Sequence, residues 1–246
     1  MPRPDGNPGS VHAGLNSVRE RIALACGRAG RGPASVGLVA VSKTVPVEAV
    51  HAAWTAGQIA FGENYVQEGI DKIAALQRLL HTASGVSRTP IWHFIGPLQS
   101  NKTRLVAEQF DWVHGIDRLK IAERLSEQRP AHLLPLNVCI QINVSGEASK
   151  SGVAPAEAEP LARAIAALPR LQLRGLMSIP EPVQGFDAQR APHRALRFLF
   201  ERLNTAGLAL DTLSMGMSAD LEAAIAEGAT LVRAGTAIFG EREKTL

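Results

Sequence analysis

Cysteine is nearly missing from this chain. Cys26 and Cys139 are the only two, far apart, with no CxxC pair and no Cys/His cluster. That excludes a disulfide-stapled scaffold and a structural zinc site, and it fits a reducing compartment. No apolar run approaches the ~20 residues that a bilayer span requires. The opening MPRPDGNPGS lacks the apolar core of a signal peptide, so a cytoplasmic protein is expected, with no membrane contact. Charge of one sign is lacking too: 26 Lys and Arg face 23 Asp and Glu, a net +3 scattered along helical stretches. That pattern describes solvated helix faces and not a nucleic-acid surface. Aromatic residues make up 4% of the chain, with a single tyrosine, Tyr65. No GxGxxG follows the first strand-like run, which removes the usual mark of a dinucleotide-binding sheet.

What the chain has is alternation. Its 246 residues are 46% hydrophobic and 20% charged, an ordinary globular composition, and no low-complexity linker divides them. Apolar runs of strand length fall at about 36–42, 59–62, 91–95, 111–114, 136–144, 173–178, 213–217 and 231–234. Between them lie stretches of helical period, and a further helix over about 15–28 precedes them all. Ser100, Asp117 and Ser218 stand where helix N-caps are expected. Eight strand–helix repeats predict a single closed (β/α)8 barrel with an extra N-terminal helix, since the strands of such a barrel are buried on both faces and read as continuous apolar runs. A doubly wound sheet is the alternative, with usually fewer strands and a Gly-rich first turn. Residues 1–12 are read as a flexible lead-in and 13–246 as one barrel domain.

Barrel sites form at the C-terminal ends of strands. The first strand, in LVAVSKTVP (38–46), delivers Lys43 at its tip. FGEN contributes Asn64, WHFIGP contributes His93, the fourth tip His114, and the sixth Met177 and Ser178. The last two tips, SMGMS (214–218) and RAGT (233–236), read as a phosphate site. Loops after strands seven and eight recur in that role, Ser218 would cap the next helix, Gly216 and Gly235 would admit close backbone approach, and Thr236 adds a hydroxyl. A lysine in a partly apolar mouth loses ammonium stability by desolvation, and its free amine forms Schiff bases with carbonyls. An aldehyde carrying a phosphate would meet both groups, and pyridoxal 5′-phosphate is such a molecule. Arg233 facing its pyridine nitrogen would oppose ring protonation and weaken the electron sink. An ion pair of Arg233 with Glu63 or Glu241 is the competing role.

Seven blocks resemble one family in one order: AVSKT (40–44), FGENYVQE (61–68), WHFIGPLQSNK (92–102), INVSGEASKSG (142–152), RGLMSIP (174–180), SMGMSADLEAAI (214–225) and VRAGTAIFG (232–240). The chain resembles the pyridoxal phosphate homeostasis proteins, which share the barrel of the alanine racemase N-terminal domain. The resemblance implies a PLP-binding protein that stores or delivers the cofactor inside the cell, held as a Schiff base on Lys43. It implies Arg233 at the pyridine nitrogen, Ser218, Gly235 and Thr236 on the phosphate, Met217 beside it through the backbone, and Asn64 near the ring. Lys150 matches a lysine that the family suggests for secondary binding. A non-catalytic carrier is expected: the chain stops at Leu246, after the eighth strand, leaving no room for the second domain that gives alanine-racemase-like enzymes their tyrosine base. A monomer is expected, with transient contacts to apo PLP enzymes. Two alternatives stay open, a single-domain racemase or decarboxylase using His93, His114 or Tyr65 as base, and an aldolase-type barrel with no cofactor.

Overall fold

A computed structural model describes residues 8–81, 88–146 and 151–240. Eight parallel strands close into a barrel in sequence order, β1 to β8: β1 Gly37–Val41, β2 Ala60–Glu63, β3 Ile91–Phe94, β4 Trp112–Ile116, β5 Leu136–Gln141, β6 Leu171–Met177, β7 Thr212–Met217 and β8 Leu231–Ala234. Closure runs through β1 and β8, with Gly37 opposite Leu231 and Ala40 opposite Ala234. Each expected strand is present, shifted by a few residues at most.

Nine helices lie among the described residues. Seven connect successive strands: α2 Val47–Thr55, α3 Val66–His81, α4 Thr103–Gln109, α5 Leu119–Gln128, α6 Ala158–Ala166, α7 Phe186–Thr205 and α8 Leu221–Ala226. α9, Thr236–Phe239, is a single turn after β8. The opening helix, α1, runs Pro8–Arg28 and packs on α2, α8 and α9. It fills the place beside α9 that a full eighth helix would take. Residues 8–12 thus belong to a helix and not to a lead-in, and Val11 is buried at 2% exposure.

The three expected N-caps are displaced. Ser100 opens a 3-10 turn, Ser100–Lys102, before α4. Arg118, not Asp117, precedes α5. Asp220, not Ser218, precedes α8. In each case the helix begins later than the polar residue suggested.

The two faces of the barrel can be told apart from glycine environments. A Cβ on Gly62 would meet the side chains of Val39 and Ile95 at 3.0 Å, whereas one on Gly69 of α3 would meet Glu63 at 3.3 Å. Glu63 thus faces the helix layer and Gly62 the lumen. Strand alternation puts Val39, Val41 and then Lys43 on the lumen side, with Gly62 and Asn64. The outer face of the sheet packs a continuous apolar core, including Ala40, Phe61, Phe94, Ile140 and Leu176.

Close sheet packing needs a glycine at 175, where a Cβ would lie 1.8 Å from the Thr212 carbonyl oxygen on the neighbouring strand. Gly175→Ala should lower stability by about 3 kcal/mol, since a rigid backbone carbonyl must give way. Urea denaturation checks this: a midpoint equal to that of the wild type would contradict the strand register.

Candidate functional site

Parallel closure brings every strand's C-terminal end to one rim. The register Ala40–Ala234 sets the β1 and β8 tips side by side, and Val41 opposite Gly62 does the same for β1 and β2. Lys43, half-buried, therefore stands between Asn64 on one side and Gly235–Thr236 on the other. Thr44 follows it at φ 59°, a left-handed conformation that a β-branched residue adopts only under constraint.

Arg233 is the buried charge of the lumen, 4% exposed. Its Nη1 donates to the Ser214 carbonyl at 2.8 Å and to Ser214 Oγ at 2.7 Å, and its Nη2 donates to the Ser178 carbonyl at 2.9 Å. Burial pulls its pKa down to about 10, so it stays cationic at neutral pH. Among the described residues it forms no ion pair. Glu63, one of the two expected rivals, is bound instead to Lys72 Nζ at 2.9 Å on the opposite side of the sheet. Glu241, the other, lies outside the described residues, as does Lys150.

A chain of neutral groups continues from the arginine. Ser214 Oγ meets His114 Nδ1 at 2.8 Å, and His114 Nε2 meets His93 Nδ1 at 2.9 Å. With Ser214 Oγ donating to His114 Nδ1, the His114 proton stands on Nε2 and is donated to His93; with the opposite tautomer, Ser214 accepts from both Arg233 and His114. Burial depresses both imidazoles, His93 to about 3, while His114 is lowered further by the His93 and Arg233 charges. The contact of His114 with Ser214 crosses from β4 to β7, which only the lumen permits.

The phosphate-type turns differ in detail from expectation. Gly216 has φ 90°, but a Cβ there would meet Ala224 Cβ at 2.5 Å, so this glycine seats α8 and does not serve ligand approach. The Met217 N–H donates to Asp220 Oδ1 at 2.6 Å; the backbone contact expected of Met217 is already taken. His193 Nε2 holds Asp220 Oδ2 at 3.0 Å, and Arg21 Nη2 from α1 holds the Ser218 carbonyl at 2.9 Å. The donors left at this rim are the N–H groups of Ser218, Ala219 and Thr236 and the hydroxyls of Ser218 and Thr236, none with a protein partner among the described residues.

At this mouth, Asn64 Oδ1 and Ser178 Oγ are buried without a partner among the described residues. A half-buried lysine, unpartnered donors at the β7 and β8 tips, the Ser178 hydroxyl and a buried guanidinium with no carboxylate partner among the described residues suit a small aromatic anion bearing an aldehyde. The residues present fit pyridoxal 5′-phosphate. The sequence placed Ser178 at the sixth tip and Ser214 at the start of SMGMS, but gave neither the role of holding Arg233. Their signal, a serine at a strand tip or at a lumen position, is common to many barrels. As bases, the histidines serve poorly: His93, at about 3, is almost never protonated, and His114 is lowered well below the ordinary imidazole range by burial, so both abstract protons weakly. Tyr65 is 58% exposed.

These depressed values have a sign. The unfolded histidines take up protons near pH 6.5, and the folded rings refuse them, so this part of the stability is complete above about pH 6.5 and is lost as pH falls toward 3. Two of the seven histidines should therefore show ring proton shifts that do not move between about pH 5 and 8. Titration of all seven by NMR would contradict the buried chain.

The alanine racemase N-terminal domain family matches residues 15–243. A pyridoxal phosphate homeostasis protein of Pseudomonas aeruginosa is 58% identical over 235 residues, covering 95% of this chain and 96% of that one. One of Escherichia coli K12 is 57% identical over 229 residues, covering 93% and 95%. The solved structure of PipY from Synechococcus elongatus, with PLP bound, superposes with a TM-score of 0.79 at 36% identity over 94% of this chain and 100% of its own.

Proposed function

The chain belongs to the pyridoxal phosphate homeostasis protein family, on the alanine racemase N-terminal barrel, and we propose that it binds pyridoxal 5′-phosphate and holds it for delivery without transforming amino acids. The observation that carries this reading is the Lys43 tip between Asn64 and Thr236, above an arginine that has no carboxylate partner among the described residues.

When bound, the cofactor supplies an aldehyde open to amine attack and a pyridine ring that draws electrons most strongly when protonated. Lys43 is the amine. Ser218, Gly235 and Thr236, with the Ala219 N–H, would receive the phosphate, while Asp220 keeps the Met217–Asp220 turn in shape. Arg233, cationic and fixed by Ser214 and Ser178, would face the ring nitrogen and keep a proton off it, because like charges exclude one another. Asn64 would contact the ring with its orphaned amide oxygen. Transamination depends on the protonated ring, so this site disfavours it.

The carrier reading is preferred over a racemase or decarboxylase for a second reason. Catalysis on both faces of an amino acid needs a base opposite Lys43. His93 and His114 are bound to each other below the mouth with depressed pKa values, and Tyr65 is exposed. No helix among the described residues is long and apolar enough to cross a membrane. A monomeric cytoplasmic protein that meets apo PLP enzymes transiently is the working picture.

Mixing the purified protein with pyridoxal 5′-phosphate should produce absorbance near the visible edge, and Lys43→Ala should abolish it. Ser218→Ala with Thr236→Ala should keep the colour but weaken retention by about a hundredfold, as two hydrogen bonds to a charged group are lost. Colour persisting in Lys43→Ala would reject the lysine assignment, and steady inversion or decarboxylation of added amino acids would reject the carrier.

A further inference from the structure

The FGENYVQE stretch supplies Asn64 to the mouth, yet its two glutamates face elsewhere. Glu63, fully buried at the end of β2, accepts from Ser42 Oγ at 2.6 Å and from Lys72 Nζ at 2.9 Å. Lys72, on α3 and 7% exposed, also donates to Glu68 Oε1 at 2.6 Å and to the Ser42 carbonyl at 2.5 Å. Glu68 Oε1 in turn accepts the Thr44 N–H at 2.5 Å. The Thr44 hydroxyl donates to the Lys43 carbonyl at 2.7 Å. One cluster of three charged side chains thus grips the backbone on both sides of Lys43, at Ser42 and at Thr44.

The grip coincides with strain. Thr44 sits at φ 59°, which costs a non-glycine residue of order 1–3 kcal/mol unless its surroundings enforce it. The bond from the Thr44 N–H to Glu68 is the enforcement, and Lys72 holds Glu68 in place for it. A buried ion cluster is a weak device for stability, because desolvation offsets most of its attraction. It is a strong device for fixing geometry.

We propose that Lys72, Glu63 and Glu68 are positioning residues for Lys43: they hold the Ser42–Thr44 backbone so that the Lys43 amine is aimed before the aldehyde arrives. This deepens the cofactor-binding reading and rests on it. The α3 cluster touches no part of the phosphate turns, so it governs condensation with the aldehyde and not capture of the anion.

The test compares wild type, Glu68→Ala and Glu68→Gln, with two ligands. Pyridoxal 5′-phosphate reports condensation; pyridoxine 5′-phosphate, an alcohol in place of the aldehyde, reports the pocket alone. In ligand-free Glu68→Ala, hydrogen exchange at the Thr44 amide should quicken, and condensation should slow by roughly tenfold, the scale of a small misplacement. Pyridoxine phosphate affinity should stay within about twofold. Glu68→Gln retains an acceptor oxygen and should retain both the protected amide and most of the rate. If Glu68→Ala does not fold, Lys72→Gln, which removes the cation that holds Glu68 against the Thr44 amide, should slow condensation in the same way. Condensation at the wild-type rate in the folded variant overturns the proposal, and so does a parallel loss of pyridoxine phosphate binding. Failure of the wild type to bind either ligand would instead refute the cofactor reading, while the Thr44 exchange would still report whether Glu68 holds the turn.

Discussion

The pairing of β1 with β8 is the contact on which everything else depends. It closes the sheet, and closure is what makes a rim: Ala40 opposite Ala234 brings residues nearly 200 positions apart in sequence to adjacent tips. A parallel sheet left open would still align its strand ends, but Lys43 and Thr236 would then lie at opposite edges. With the barrel closed, one amine and one set of anion donors share a mouth that a single small molecule can span.

Below that mouth the barrel solves an electrostatic problem. Arg233 is buried without a carboxylate in contact among the described residues, which is costly unless dipoles replace water. The Ser178 carbonyl and the two Ser214 oxygens do so, and the Ser214–His114–His93 chain extends the ordered dipoles downward. The cation is thereby retained without being neutralised, and its charge stays available to whatever occupies the mouth. Burial that fixes the arginine also depresses the two histidines, so the same packing keeps a cation at the mouth and holds two imidazoles neutral.

Much of this was legible in the sequence, for reasons tied to particular residues. Strands buried on both faces announce themselves as apolar runs, so β1 through β8 could be counted, and barrel topology then assigned Lys43, Asn64 and Arg233 to one end. Local chain reversals were harder. Ser100, Asp117 and Ser218 have the right chemistry for N-caps, but each helix begins later than its polar residue: Ser100 opens a 3-10 turn before α4, Arg118 precedes α5 and Asp220 precedes α8. The start of α1 at Pro8 was hidden because Gly9, Gly14 and the prolines argue against a helix that tertiary packing nonetheless sustains. The lumen chain was out of reach altogether. His114 and Ser214 are 100 residues apart, and no local pattern links them until the barrel closes.

The central claim is that Lys43 and the β7–β8 turns hold the two ends of one phosphorylated aldehyde. A crystal structure grown with pyridoxal 5′-phosphate tests it most directly. The account predicts continuous density from Lys43 Nζ to the aldehyde carbon, the phosphate against Ser218 and Thr236, and the Arg233 guanidinium at the ring nitrogen. A ligand bound outside the barrel mouth, or one whose phosphate lies away from both turns while Lys43 stays unmodified, would contradict it.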